Sequence, residues 1–468
     1  MVSMPFSDAF IESTYDDLRS RVQGSVIAPE DLTYDEARKA WNLTVDHYPA
    51  VIVFPQNAAD VQEAVRFARD VDLKIAVQAT GHGVSRLANG AMLINTSRMT
   101  GVRVDAATQT AWIAAGNKWG SVLEQAQQHG LAPLLGSSPD VGAVGYTLGG
   151  GMGWLARKYG LSIDSVNYFE VVTAEGDLVK ASETENSDLF WALRGGGGSF
   201  GIITAMEVRL YPVTMVFGGN LLYPAQFAGE VYKRWREWIK TLPDELTTSI
   251  VLMNFPPFPQ VPEFLRGQSF VMIRGLYAGS IEQGQALLQP WLDWKEPVAN
   301  MWRPMPFSEV ETVSNDPKDP SSGHVTGLWL REITDEAIDA LIHYTLPQGG
   351  PPTITLSEIR FAGGAISRVN PEANAYGNRD ANLILEIIAM VPSAEAYPAI
   401  TKHISELKSE LAPSSTGGVY INFLEGEEKW SRTRQAFSPE NYRRLTALKA
   451  KYDPNNRFAF SFNIPPVS

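Results

Sequence analysis

The stretch VQATGHGVSR, Val77 to Arg86, holds a histidine between two glycines directly after an alternating apolar run. A structural histidine usually sits on a helix or strand with both ring nitrogens satisfied by neighbours. Held in a glycine loop, His82 is placed for something that approaches the backbone closely. Two chemistries suit it. The imidazole can attack an electrophilic cofactor carbon as a nucleophile, or it can bind phosphate. A second segment, GSSPDVGAVGYTLGGGMGWLARKYG (Gly136–Gly160), is dense in glycine. Backbone amides there can come close to a large flat or phosphorylated ligand; the plainer reading is a sharply winding structural loop. A third, RGGGGSFGIIT, contains a literal Gly-x-Gly-x-x-Gly from Gly196 to Gly201. A Rossmann turn needs a strand before and a helix after. Here a helical pattern precedes and an alternating one follows, so the motif is set aside. The loops together point to a dinucleotide cradled by backbone outside the Rossmann scheme.

Chemistry of another kind is possible in TLSEIRFAGGA, where Glu358 and Arg360 stand two apart and share one face of a strand. A partly desolvated carboxylate there would have its pKa raised toward a range useful for taking a hydroxyl proton. Arg360 would oppose that shift and suits an anionic or carbonyl-bearing substrate. On a solvent face the same pair would be a surface ion pair of little weight. Trp302, Trp329, Phe361 and Tyr420 are either walls of a site or core.

The elements that must position these residues follow from periodicity. AVIVF reads as a strand, Val61, Ala64, Val65 and Ala68 follow at helical spacing, and LKIAVQA alternates into the His82 loop. The loop therefore lies at the carboxyl end of a strand, where α/β proteins place ligands. AMLINTS, GVRVD and TAWIAAG predict short strands, SVLEQAQQHG a helix, and YFEVVTAEGDLVKAS a hairpin about Glu175-Gly176. NSDLFWALRG predicts a helix capped by Asn186 or Ser187, and GIITAMEVRLYPV a strand. After Pro212 the pattern changes to amphipathic helices at 225–242, 281–294, 335–344 and 394–411, interleaved with strands such as SFVMIRGLYAG, TITLSEIRFAGGA and LILEIIAMV. That mix predicts an antiparallel sheet covered by helices, in an α+β fold. The tail reads as a basic helix, a turn and a short apolar end.

Composition narrows the partners. A chain of 468 residues is long for one core and predicts more than one domain. A formal charge of −13 argues against nucleic acid or an anionic membrane as the main partner. No stretch approaches the roughly 20 apolar residues of a membrane span, and the acidic N-terminus does not read as a signal peptide. The sequons at Asn42 and Asn95 read as chance. The chain has no cysteine. Disulfides, thiolate metal sites and any cysteinyl–cofactor bond are thereby excluded, and a cytoplasmic setting is expected. None of the six histidines shows a metal-binding spacing.

Five stretches, in order, carry a resemblance: YPAVIVFPQNAADVQEAVRFA, ATGHG, GLAPLLGSSPDVGAVGYTLGGGMGWLARKYGLSIDSV, DLFWALRGGGGSFGIIT and YDPNNRFAFSFNIPP. Through them residues 45–212 and 417–466 resemble the vanillyl-alcohol-oxidase class of flavoproteins, and within it the berberine-bridge-enzyme-like oxidases. The resemblance implies a discontinuous FAD domain (1–214 with 417–468) and a central substrate domain (215–416) over the flavin ring. It implies an 8α-histidyl bond from His82 to FAD. Ser138 stands where many relatives have a second, cysteinyl bond, so attachment should be single. The loop departs from the Arg-Ser-Gly-Gly-His-like run of many relatives, and a positive charge near the pyrophosphate is lost. By the same carry-over Thr80, Gly81, Gly83, Val84, Ser137, Gly142, Gly145, Tyr146, Gly150 and Gly153 line the cofactor. Ile203 would touch the adenine side through its backbone, and Asn422 and Asn463 would sit near the isoalloxazine. Glu358, Arg360 and Tyr420 are the expected catalytic residues. The implied reaction oxidises a C–H next to O–H or N–H of a small organic molecule, with hydride passing to flavin N5 and dioxygen leaving as peroxide. An oxygenating flavoenzyme and a non-covalent flavin dehydrogenase are the alternatives.

Overall fold

The computed structural model describes residues 8–467; residues 1–7 of the acidic N-terminal stretch lie outside them. Val51–Phe54, Met92–Asn95 and Ile75–Gln78 pair as parallel neighbours in that spatial order, with Ser25–Ile27 antiparallel on the outer edge. Helix Ala58–Asp70 makes the crossover. Asn57 caps it by accepting the Asp60 N–H at 3.0 Å. The expected stripe of Val61, Ala64, Val65 and Ala68 is fully buried, each valine contributing about 1.5–3 kcal/mol. The chain leaves the carboxyl end of Ile75–Gln78 straight into the His82 loop. Asn42 and Asn95, the two sequon asparagines, are buried.

Next to it, Val102–Asp105, Thr110–Ala114, Ile202–Arg209, Val166–Val172 and Leu178–Ser182 form a second, wholly antiparallel sheet in that order. Helix Ser187–Gly196 runs through a 3₁₀ turn into strand Ile202–Arg209. Gly196–Gly201 thus join a helix to a following strand, the reverse of a Rossmann turn. The helix cap corrects the expectation: Asn186 is at the N-cap with φ 47°, but its amide donates to the Lys180 carbonyl at 2.7 Å and caps nothing.

Residues 215–390 build the third sheet, of eight antiparallel strands. Its spatial order is Ala299–Asn300, Met215–Pro224, Ser269–Tyr277, Leu246–Asn254, Leu356–Phe361, Leu383–Met390 and Gly323–Leu330, with Arg303–Pro306 also pairing with Met215–Pro224. One face presents Leu221, Ile250, Leu252, Ile273, Ile359 and Leu385 to a core shared with helices Ala228–Trp238, Ile281–Trp294, Asp335–Thr345 and Tyr397–Glu410. The first of these helices is shorter than the predicted 225–242 because both its ends relax into 3₁₀ turns. Trp302 joins this helix-covered core. The opposite face carries charge. Cross-strand register pairs Asn220 with Arg274, Arg274 with Ser249, Ser249 with Arg360, and Glu358 with Glu386, so all six side chains project the same way.

The C-terminal segment returns to the first two sheets. Arg457 donates to the Ala68 and Leu73 carbonyls, and its own carbonyl accepts the Ile75 N–H. Lys449, fully buried and paired with Asp453 at 2.6 Å, donates to the Ser199 carbonyl. Among the described residues no helix is long and apolar enough to cross a membrane.

Candidate active site

His82 is positioned from three directions. Its Nδ1 lies 2.8 Å from the Thr80 hydroxyl. The Trp41 ring stacks on the imidazole, with centroids 4.3 Å apart and planes 16° from parallel. Gly81, at φ 81°, lets the loop turn where a Cβ would come within 2.7 Å of Ala40, a position only glycine fills without strain. Burial pulls the imidazole pKa down to about 4, against the pull of Asp140 and with that of Lys118. His82 is therefore neutral at pH 7 and keeps a nucleophilic lone pair. Gly83 is exposed beyond it and Val84 is half-buried.

The Gly136–Gly160 segment folds beside this loop as short helices joined by glycines. Gly142 precedes helix Ala143–Leu148 and packs on Ala79 and Thr80. Gly145 opens onto free space, whereas a Cβ on Gly153 would fall 1.7 Å from the Leu135 carbonyl oxygen. Gly150 packs on the Tyr376 ring. Ser138 accepts the Asp140 N–H at 3.2 Å, so its hydroxyl closes a turn. Polar atoms around this region are buried with no partner among the described residues, including Gln78 Oε1, the Tyr146 and Tyr376 hydroxyls, Trp154 Nε1 and Thr247 Oγ1.

Tyr420 ties the tail to that segment. Its buried hydroxyl accepts the Gly151 and Met152 N–H groups at 3.0 Å each and the Asn422 amide at 3.1 Å, and Asn422 also donates to the Tyr146 carbonyl. Burial raises the phenol pKa despite these donors. Tyr420 is a strut for the glycine segment. Tyr420→Phe is expected to cost about 1–3 kcal/mol, because two backbone donors lose their acceptor. Urea unfolding measures it, and an unchanged midpoint would remove the strut role.

Facing these loops is the charged side of the large sheet. A cavity lined by Ser137, Gly153, Trp154, Thr247 and Arg360 separates the two. Glu358 is sealed in: Ser249 Oγ donates to it at 2.6 Å, Arg360 at 3.0 Å, and Arg274 stands at 3.6 Å. Burial would raise its pKa, but the two arginines and the serine outweigh that and hold it below the usual range. This corrects the expectation of a raised Glu358. The raised carboxyl is Glu386, its cross-strand partner. Burial pushes Glu386 up to about 8, helped by the Glu358 charge and opposed by Arg360 at 2.8 Å. The side chains are 2% (Glu358), 8% (Glu386) and 14% (Arg360) exposed, and Arg360 is the member that lines the cavity. Asp316 acts electrostatically on both, and the Lys318 carbonyl in the same loop accepts the Trp41 indole N–H. That loop spans from the His82 side to the charged side.

Several of these residues escape a reading by motif. Glu386 and Arg274 are each a lone charge inside an otherwise apolar strand, LILEIIAM and SFVMIRGLY; that break in pattern is the available signal. Trp41 carries none. Of the remaining predicted residues, Ile203 is buried within its strand at a bulge opposite Val171. Asn463 donates its N–H to Thr433, and its carbonyl accepts the Tyr442 hydroxyl. Trp329 is buried with Tyr420 and Ile384 on the charged side of the sheet, and Phe361 lies under the Arg157 guanidinium.

Residues 49–182 match the FAD binding domain family, and residues 419–465 match the berberine and berberine like family. Over its length the chain is 31% identical to the FAD-linked oxidoreductase YgaK of Bacillus subtilis (strain 168), covering 96% of this chain and 98% of that one. It is 27% identical to (R)-6-hydroxynicotine oxidase of Paenarthrobacter nicotinovorans, covering 95% and 97%. Its fold is that of glucooligosaccharide oxidase from Acremonium strictum, a protein with 6-S-cysteinyl, 8α-N1-histidyl FAD, at a TM-score of 0.83, 23% identity and coverage of 97% and 100%. An FAD-binding N-terminal part, a berberine-like tail and a whole-length match to an FAD-linked oxidoreductase leave one assignment: the chain is an enzyme of the berberine-bridge-enzyme-like family of FAD-linked oxidoreductases.

Proposed function

We propose that this enzyme is an oxidase with FAD attached singly through His82, acting on a small organic alcohol, amine or secondary metabolite and passing electrons to dioxygen. The observation that carries the reading is the presence of two features: a neutral, half-buried imidazole in a glycine cradle, and an Arg360–Glu386 ion pair on the charged face of the large sheet, whose Arg360 lines the cavity beside the glycine segment. The residues fit the cofactor. Gly145 is open, and Gln78, Tyr146 and Thr247 keep unpartnered polar atoms for a ligand to satisfy. Ser138 cannot supply a second attachment, unlike the cysteinyl bond named for the Acremonium enzyme. When bound, FAD supplies the hydride acceptor and the route to dioxygen.

The protein's own part is binding and proton transfer. Arg360 is held cationic by Glu358 and Glu386 and orients the oxygen or nitrogen of the substrate. Glu386, with its pKa near 8, takes the O–H or N–H proton. Glu358 positions both through Arg360 and Arg274. Tyr420 holds the glycine segment, and the cysteine-free chain suits a cytoplasmic setting.

Rapid mixing of the flavin-loaded enzyme with candidate alcohols and amines tests the reading. An oxidase bleaches without air, recovers in air, releases one peroxide per product, and incorporates no ¹⁸O from labelled dioxygen. Label in the product would establish the oxygenating alternative. Recovery with artificial acceptors but not with air would establish a dehydrogenase.

A further inference from the structure

Lys429, on the short helix Gly426–Ser431 of the tail, is 5% exposed. Its ammonium makes one hydrogen bond, to the carbonyl of Gly83 at 3.1 Å. A Cβ built on Gly83 would lie 3.2 Å from Nζ, so the charge is pressed against the loop that carries His82. No carboxylate pairs with it among the described residues. Glu425 acts on it from a distance, but that carboxyl is engaged elsewhere: it accepts the Val325 N–H and the Asn42 amide, and burial pushes its pKa up to about 7. Burial pulls Lys429 down to about 8, against the pull of Glu425. The ammonium therefore stays charged at neutral pH with two N–H groups unused. A buried cation in that state is costly unless an anion completes it.

The surrounding charges leave this role open. Gln78 opens the loop, so no cation comes from the strand itself. Lys118, which acts on His82, is half-exposed and already paired with Asp140 at 2.7 Å. Arg86 is stacked over Trp430. We infer that Lys429 is the cation that receives the diphosphate of the bound dinucleotide, supplied from the tail in place of a charge in the loop. The inference rests on the reading that the groove at His82 takes FAD. It also gives the discontinuity of the flavin-binding part a physical purpose, because the tail would complete the phosphate site only once it has packed against the N-terminal half.

The test titrates FAD, ADP and riboflavin into the His82→Ala protein with and without Lys429→Met, reading affinity and the ligand-induced rise in Tm. FAD and ADP are expected to lose about tenfold or more in affinity, the fold-change of one charge-assisted hydrogen bond. Riboflavin, which has the ring and no phosphate, is expected to bind both proteins equally. Added salt should narrow the gap for FAD and ADP, and Lys429→Arg should keep most of their affinity. Without ligand, Lys429→Met should melt no lower than its parent, since a neutral side chain replaces a buried ion held by one carbonyl and the Phe462 ring 5.5 Å away. Unchanged FAD and ADP affinities overturn the inference. So does an equal loss for riboflavin, which would mark the lysine as a support for the loop or a partner of the ring. Failure of the parent to bind FAD at all would instead bring down the dinucleotide reading, and this inference with it.

Discussion

His82→Ala is expected to release all flavin from the denatured chain, while the wild type keeps yellow fluorescence through acid precipitation and a denaturing gel. The loss should be complete because a second, cysteinyl bond is impossible: the chain has no cysteine, and Ser138 occupies a turn with its hydroxyl engaged. The geometry also predicts how attachment depends on pH. With its pKa near 4, the imidazole is neutral from about pH 5 upward. Incorporation of FAD into the apoprotein should therefore vary little between pH 5.5 and 8 through this group. Attachment that rose steeply through pH 6.5 would show that His82 titrates as an ordinary exposed histidine. Acid-stable flavin persisting in His82→Ala would place the bond elsewhere, and flavin lost from both proteins would make the enzyme a non-covalent one.

Glu386→Gln is expected to lower kcat/KM by about 10²–10⁴-fold, the usual contribution of a positioned general base. The base works only when deprotonated, so the wild-type rate should rise with pH through about 8, and this limb should vanish in the variant. Stability moves the other way. The folded carboxyl binds its proton more tightly than the unfolded one, so folding stability contributed by this group falls as pH rises from about 4.3 toward 8, and Glu386→Gln should flatten that fall. Glu358→Gln separates the two carboxyls. Removing the sealed partner leaves Arg274 without a carboxylate and Arg360 with Glu386 alone, at a cost of about 3–5 kcal/mol, and urea unfolding should register that before any pH limb moves. If Glu358→Gln removes the limb and Glu386→Gln does not, the roles are reversed and the original assignment of the base to Glu358 returns.

The distance between those two assignments shows where the sequence runs out. Glu358 is visible because it precedes Gly363-Gly364 in a strand with a companion two residues on. Its protonation is set by Arg274, far earlier in the chain, and by Ser249 on the strand between them. Nothing local announces either. Lys429 is a similar case: on a short helix it reads as a solvated lysine, and it is buried only because the tail packs against the His82 loop.

The sequence by itself determined the elements and the cofactor class. Apolar periodicity defined the crossover from Val51 to Gln78 and the helix-covered sheet, glycine density marked the candidate cradle, the helix-before-strand order ruled out a Rossmann turn, and the lack of cysteine excludes a cysteinyl bond to the cofactor. These are local properties, set by backbone freedom and by which face of an element is apolar. The tertiary structure alone decided the electrostatics. Cross-strand register brought two arginines and two glutamates from three strands onto one face and made Glu386 the raised carboxyl, and packing of the tail made the Tyr420 hydroxyl an acceptor for the glycine segment. The physical reason is that a pKa depends on burial and on charges within a few ångströms, and those neighbours are chosen by packing between segments that lie far apart in the chain.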